Sequence, residues 1–328
     1  MKDVASRAGV ALKTVSRVVN GEPGVTPATA ERVLSAIEDL GFRRNESARL
    51  LRTGQTAALG FIAANSADPD QAALQAGLEE VAADHGFLVY SGSTHGDPDR
   101  EQRLALALSA RRVDGMVIVP TPGDDHRYLA AEIRAGVAAV FALRPPTPAG
   151  TGAVPGDAVV IDERGGAYAA VAHLIAHGHR RIGYAGGAPG APVGYRSQRL
   201  MLGCRQAMTA AGLPVDEAWL SMTPGQLSAA GVTAALCGSR QHTAQALRAV
   251  RSADGQRRRV AVIGFGDFEL ADLVSPGITV LSYDPVRIGR TAGELLVRRL
   301  AGDAAPLRLV ELPATLIPRG SAEFPPPD

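Results

Sequence analysis

From residue 57 onward, short runs of β-branched and aliphatic residues alternate with amphipathic stretches of 10 to 17 residues. Compact apolar runs bounded by turn residues predict strands at 59–63, 88–91, 115–119, 138–142, 159–161, 181–185, 234–237, 260–264 and 278–283. Between them, helical spacing predicts helices near 71–85, 98–111, 126–135, 165–177, 197–211, 241–250 and 286–301. Repeated βα units imply parallel sheets covered by helices on both faces. At about 260 residues, the segment is large for one sheet and sensible as two.

The first 42 residues follow another pattern. Residues 3–8 are compatible with a short helix, and Gly9-Val10-Ala11 reads as a turn. Over 12–19, Val15, Val18 and Val19 fall at i, i+3 and i+4, leaving Lys13, Thr14, Arg17 and Asn20 elsewhere on the surface. Thr26-Pro27 is an N-cap followed by proline at the first helical position, and Ala30, Val33, Leu34, Ile37 and Leu40 keep helical spacing until Gly41. Two short helices joined by a glycine turn, the second basic and polar at its start, form a helix-turn-helix that places a recognition helix in the major groove. An ordinary helical hairpin with a solvated polar face has the same spacing.

Composition narrows the function. Hydrophobic residues at 46% and charged residues at 20% of 328 exclude a disordered or fibrous chain, and no apolar run approaches the roughly 18 residues of a membrane span. Met1 to Arg7 carry no secretory signal, so the chain is expected in the cytoplasm. Cys204 and Cys237 lack ligand spacing and read as buried thiols. Residues 1–54 hold nine Lys and Arg against six Asp and Glu, a net +3, whereas the whole chain is +1. A small basic head therefore joins a faintly acidic body, which points to nucleic acid. Gly183–Gly187 follows a strand but does not spell GxGxxG, and Walker A, GxSxG and HExxH motifs are absent. His173, His177 and His179 suit a helix end, where cations favour the dipole. The expectation is a protein that is not an enzyme and holds neither metal nor cofactor.

Asp3-Val4-Ala5, Ala8-Gly9-Val10 and Thr14-Val15-Ser16-Arg17-Val18-Val19-Asn20 together closely resemble the headpiece of the LacI/GalR family of bacterial transcription regulators. The resemblance continues through Leu40-Gly41-Phe42, Arg112-Val113-Asp114-Gly115, Gly178-His179-Arg180-Arg181-Ile182 and Val262-Ile263-Gly264-Phe265. It implies a small all-α headpiece over 1–44, a hinge helix and linker over 45–56, and a periplasmic-binding-protein-like α/β body of two Rossmann-like lobes over 57–318. The proline-rich tail, 319–328, is expected to be disordered.

By position, the resemblance makes Leu12, Lys13 and Arg17 base readers: Arg and Lys donate to guanine, and Leu packs on a thymine methyl. Thr14, Ser16, Asn20 and Asn45 would bond phosphates, although local capping is an alternative for Ser16 and Asn20. Residues 45–54 are too short for a stable isolated helix. In the family this hinge folds on operator DNA, where Leu51 matches the minor-groove wedge and Ala48 and Arg52 its neighbours. Helix 1 starts almost at Met1, without the Ser or Thr N-cap usual in the family, so an upstream start or a frayed first turn is expected. The implied partners are a pseudo-palindromic double-stranded DNA operator, a second copy of the chain and a small-molecule effector; no membrane is implied.

The resemblance also implies strand crossings near 176–177, 282–283 and 312–313, with an N-lobe built from 57–176 and 283–312. Several usual effector contacts have changed: Asp68-Pro69-Asp70-Gln71, Ser239-Arg240 and Gly266-Asp267 stand in their places, and Arg199 precedes Gly203 by four residues. One helix of the C-lobe is expected to be reduced between Trp219 and Val232. Candidate cleft residues are Asp68, Arg196, Arg199, Ser239, Arg240 and Asp267. Three readings follow. The arginines select a phosphorylated metabolite, an unmodified sugar binds through other residues, or the pocket is degenerate and the regulator is effector-independent or answers to a protein partner.

Overall fold

The computed structural model describes residues 1–19, 21–42, 56–122, 126–146, 156–187, 193–251 and 260–327. The chain divides into two compact units, Met1–Thr56 and Ala57–Asp328.

In the first unit, α1 (Lys2–Ala8), α2 (Leu12–Val19) and α3 (Pro27–Asp39) enclose a small core. Val4, Val15 and Val33 are fully buried, and Val18, Val19, Ile37 and Phe42 pack around them. Gly9 ends α1 in the left-handed conformation, φ 63°, which glycine adopts without a Cβ penalty. Its N–H and that of Val10 return to α1 carbonyls and turn the chain into α2. Thr26 caps α3 by accepting from the Thr29 N–H, with Pro27 at the first position, as the pattern predicts. Met1 precedes α1 without a side-chain cap.

The second unit carries two sheets. The first has the order β10-β5-β4-β3-β1-β2, all parallel: β1 (Ala58–Ala63), β2 (Leu88–Ser93), β3 (Gly115–Ile118), β4 (Ala138–Ala142), β5 (Asp157–Ile161) and β10 (Leu309–Leu312). Around this N-lobe sheet lie α4 (Pro69–Asp84), α5 (Pro98–Ala110), α6 (Leu129–Arg134) and α11 (Pro285–Leu300). The second, C-lobe sheet has the order β11-β9-β8-β7-β6, with β6 (Ile182–Ala185), β7 (Ala234–Cys237), β8 (Ala261–Phe265), β9 (Thr279–Ser282) and an antiparallel edge strand, β11 (Thr315–Ile317). Its helices are α7 (Glu163–Ala176), α8 (Tyr195–Ala210), the one-turn α9 (Glu217–Leu220) and α10 (Arg240–Arg251). Close helix crossings need glycine. A Cβ on Gly77 of α4 would meet the Val286 carbonyl oxygen, one on Gly289 of α11 that of Leu74, and one on Gly203 of α8 that of Arg164.

Three expectations are corrected. The first crossing falls at Asp162 rather than 176–177, because the buried Gly166, Ala167, Ala170, Val171 and Leu174 of α7 pack it against α8 and the second sheet. That helix belongs to the C-lobe; the remaining crossings lie at 283–284 and 313–314, beside the expected positions. Strands β10 and β11 were not among the predicted runs: both are short edge strands, and β10, Leu309-Val310-Glu311-Leu312, is largely exposed rather than a buried apolar run. Finally, residues 319–327 are ordered against the C-lobe. Ser321 donates to the Val262 carbonyl (2.6 Å) and accepts from the Thr279 N–H (2.9 Å), and Ala322 is fully buried. Glu323 accepts from the Thr279 hydroxyl (2.8 Å) and the Gly320 N–H (2.6 Å) and pairs with His173 (2.7 Å). Three consecutive prolines exclude a helix but leave an extended segment free to satisfy its polar groups this way.

Between α8 and β7, only α9, a single bridge from Met222 to Ala185 and a 3-10 turn at Pro224–Gln226 occur, consistent with the reduced helix. The histidines do not converge on one point: His173 pairs with Glu323, His177 bonds the His173 carbonyl with its ring 4.5 Å from that of His173, and the buried His179 meets Thr233 and the Phe324 carbonyl.

Candidate DNA-reading helix and interlobe cleft

Of the expected DNA contacts, the described residues include Leu12, Lys13, Thr14, Ser16 and Arg17; Asn20, Asn45, Ala48, Leu51 and Arg52 lie outside them. At 100° per residue, Leu12, Lys13, Ser16 and Arg17 share one side of α2, with Val15, Val18 and Val19 on the other and Thr14 at the flank. Val15 is fully buried, whereas Leu12 is 47% exposed and Lys13 is exposed. Core packing thus aims a leucine, a lysine and an arginine outward from a rigid helix. Arg17 is half-buried, its guanidinium near Gly24, and Arg7 pairs with Asp39 (2.8 Å) to tie α1 to α3. An exposed leucine beside cations suits a base edge better than water.

In the second unit, the carboxyl ends of the parallel strands in both lobes face a cleft, where ligands sit in such sheets. Not every candidate is open to a ligand. Asp68 caps α4 by accepting from the Asp70 N–H (2.9 Å), and Ser239 caps α10 by accepting from the His242 N–H (3.1 Å). Asp267 holds Arg319 through two bonds of 2.7 Å, and that pairing keeps its carboxyl below the usual range despite burial. Arg199 reaches from the C-lobe to Glu311 (2.6 Å) beside Asp162 (3.8 Å). Arg240 donates to Asp70 of the N-lobe, whose other oxygen accepts from Tyr283 (2.6 Å) in the crossing segment. Asp70, Arg240 and Tyr283 line a cavity of about 790 Å³ with Asp267, Phe268 and Arg319.

Arg196 differs. Its guanidinium lies 4.9 Å from the centre of the Phe265 ring, and its buried Nε sits 3.7 Å from Glu163, an ion pair without a hydrogen bond at that nitrogen. Phe265 in turn stacks near Tyr283, with ring centres 5.5 Å apart. Glu163, the first residue of α7, is fully buried with neither carboxyl oxygen hydrogen-bonded, and burial pushes it up to about 7 against the opposing pull of Arg196. Arg144, just beyond β4, feels Arg196, Glu101 and Glu163; burial and the like charge of Arg196 lower it to about 10. Glu101 is otherwise engaged, by the Thr121 N–H (2.5 Å), the Tyr128 hydroxyl (3.1 Å) and His126 (3.0 Å).

Sequence reasoning missed Asp70, Arg144, Glu163, Phe265 and Tyr283 as cleft residues. Arg144 and Glu163 both carried a usable signal, since each lies two residues beyond the carboxyl end of a predicted strand, 138–142 and 159–161.

Residues 1–45 match the profile of bacterial regulatory proteins of the lacI family. Residues 56–236 match that of periplasmic binding proteins and the sugar binding domain of the LacI family, and 171–322 that of a periplasmic binding protein-like domain. The HTH-type transcriptional regulator CelR of Thermobifida fusca is 33% identical over 327 residues, 94% of each chain. The chain belongs to the LacI family. It is a helix-turn-helix, DNA-binding transcription regulator. Among solved structures, the complex of the transcriptional regulator CelR with cellobiose is 28% identical and covers 98% of each chain at a TM-score of 0.67. The lac repressor in its repressed state is 25% identical and covers 97% of each chain at 0.79. The two-lobe body is thus a LacI-family ligand domain, and the relatives are regulators rather than enzymes. Among the described residues, no helix is long and apolar enough to cross a membrane.

Proposed function

We propose that this regulator is a repressor that binds a pseudo-palindromic operator as a homodimer in the cytoplasm, with its DNA affinity set by a small molecule in the interlobe cleft. The observation that carries the reading is the outward face of α2, with Leu12, Lys13 and Arg17 held by the buried Val15. On this reading Leu12, Lys13 and Arg17 read bases, while Thr14, Ser16, Asn20 and Asn45 fix the register on phosphates. Ala48, Leu51 and Arg52 enter the minor groove, where an apolar wedge costs a few kcal/mol of unstacking and bends the duplex. A two-fold dimer matches a two-fold site, and lobe closure couples the cleft to the hinge.

The Asp70–Arg240–Tyr283 contact favours a second reading, in which the lobes are tied together without an effector and DNA binding is constitutive or under a protein partner. Selection of binding sites from random duplexes by the purified protein, at a stated salt concentration, tests the first reading. A pseudo-palindrome is expected. Failure of a folded dimer to enrich any site defeats it.

A further inference from the structure

Most ion pairs of the second unit fasten a lobe to itself, as Asp267 holds Arg319 in the C-lobe and Glu80 holds Arg290 in the N-lobe. Among the described residues, two join one lobe to the other. Asp70, in the first turn of α4, meets Arg240, the first residue of α10. Arg199 of α8 meets Glu311 of β10 at 2.6 Å, with Asp162 3.8 Å away. Both pairs stand at the crossings. Tyr283 of one crossing donates to the second Asp70 oxygen (2.6 Å), Asp162 is itself a crossing residue, and Glu311 lies just before the crossing at 313–314.

Room for the first pair comes from a residue without a side chain. A Cβ on Gly266, φ 83°, would come within 3.3 Å of the Arg240 Cγ and Nε and 3.7 Å of the Asp70 carboxyl. Both arginines are drawn in far enough that their Nε atoms are buried without a hydrogen bond, a cost that the carboxylate pairing offsets. Their side chains nevertheless stay 30% and 23% exposed, Arg240 and Arg199 respectively. Ion pairs open to water in this way shift the balance between tied and parted lobes by only about fivefold each, and salt screens them. Such a junction holds without being permanent.

Building on the proposed regulator, we infer that these two ion pairs form a clasp on the crossing segments, which holds the lobes together without a ligand and sets operator affinity. An effector then works by parting the clasp. The cavity of about 790 Å³ is lined by both Asp70 and Arg240, so a ligand that takes the place of either partner there breaks the first tie.

Hydrogen exchange of the full-length protein, dialysed free of small molecules, tests this at the peptides that carry two of the crossings, 280–286 and 310–316. Asp70→Asn, Arg240→Gln and Arg199→Gln should each speed exchange there about fivefold, with β3 unchanged. The Asp70→Asn/Arg240→Gln double variant should exchange no faster than Arg240→Gln, because one tie is broken only once. Adding Arg199→Gln to that double variant should multiply the rate again. Wild type moved from about 0.1 M to about 1 M salt should approach the variants. Loss of both ties should change affinity for the selected operator about tenfold. Unchanged exchange at the crossings, equal acceleration in β3, or additive effects of Asp70→Asn and Arg240→Gln overturn the clasp. Operator affinity indifferent to the loss of both ties overturns its regulatory role. Crossings that respond as expected in a protein that selects no DNA sequence defeat the regulator reading and leave the clasp standing.

Discussion

Replacing Glu163 with glutamine should change how stability depends on pH. The side chain is fully buried and neither oxygen is hydrogen-bonded, so its charged form is poorly solvated; burial lifts it from 4.5 to about 7 even with Arg196 and Arg199 nearby. A shift of about 2.5 units at about 1.4 kcal/mol per unit makes ionisation cost roughly 3 kcal/mol of folding free energy. The folded chain holds this proton more tightly than the unfolded chain does. The group therefore carries no penalty well below 4.5, and stability is lost as pH rises from there to about 7, with no further loss above. Glutamine cannot ionise, so the Glu163→Gln variant should gain roughly 2–3 kcal/mol relative to wild type between pH 5 and pH 8. Urea unfolding at both pH values measures this difference through Trp219, the single tryptophan, which packs on the C-lobe core. A gap that does not change with pH, or one that narrows toward pH 8, would refute the reasoning and mean that Arg196 fully compensates the carboxylate.

Glu323 should behave in the opposite sense. Burial alone would raise it, but the Thr279 hydroxyl, His173 and the Ala322 and Gly320 amides outweigh burial and hold it below the usual range. Its contribution is present above the ordinary carboxylate pKa and lost as pH falls through the lowered value; Glu323→Gln should cost about 2 kcal/mol at neutral pH and little in acid, read by thermal unfolding. Gly289→Ala should cost about 1–3 kcal/mol by forcing α11 away from the Leu74 carbonyl, and an unchanged melting temperature would contradict that close crossing. Arg17→Ala should relax preference at one base pair by about 1–3 kcal/mol, measured by competition among operator variants. Leu51→Ala should reduce the bend angle in circular-permutation gels; an unaltered bend removes the wedge role.

Local pattern carried most of the architecture. Each predicted strand and helix of the body is present, because a buried parallel strand must be apolar throughout and a covering helix must be apolar along one stripe. The headpiece was equally legible: Gly9 at a positive φ, Thr26-Pro27 at a helix start and Val15 on an inner face are requirements met within a few residues. The crossings at 283–284 and 313–314 lie one residue from those that the family resemblance, not local pattern, implied near 282–283 and 312–313.

What tertiary structure alone decided is which charges are engaged. Arg199 meets a carboxylate 112 positions away and Arg240 one 170 positions away, so nothing near either arginine in the chain distinguishes them from Arg196. The same applies to α7, whose Gly- and Ala-rich apolar surface suits either lobe until α8 closes on it, and to the tail, whose prolines suggest disorder until Thr279 and His173 meet Glu323. Secondary structure follows from short-range sterics and hydrophobic spacing, which the sequence by itself determined. Pairing of charges follows from proximity in space, and that exists only once the chain has folded.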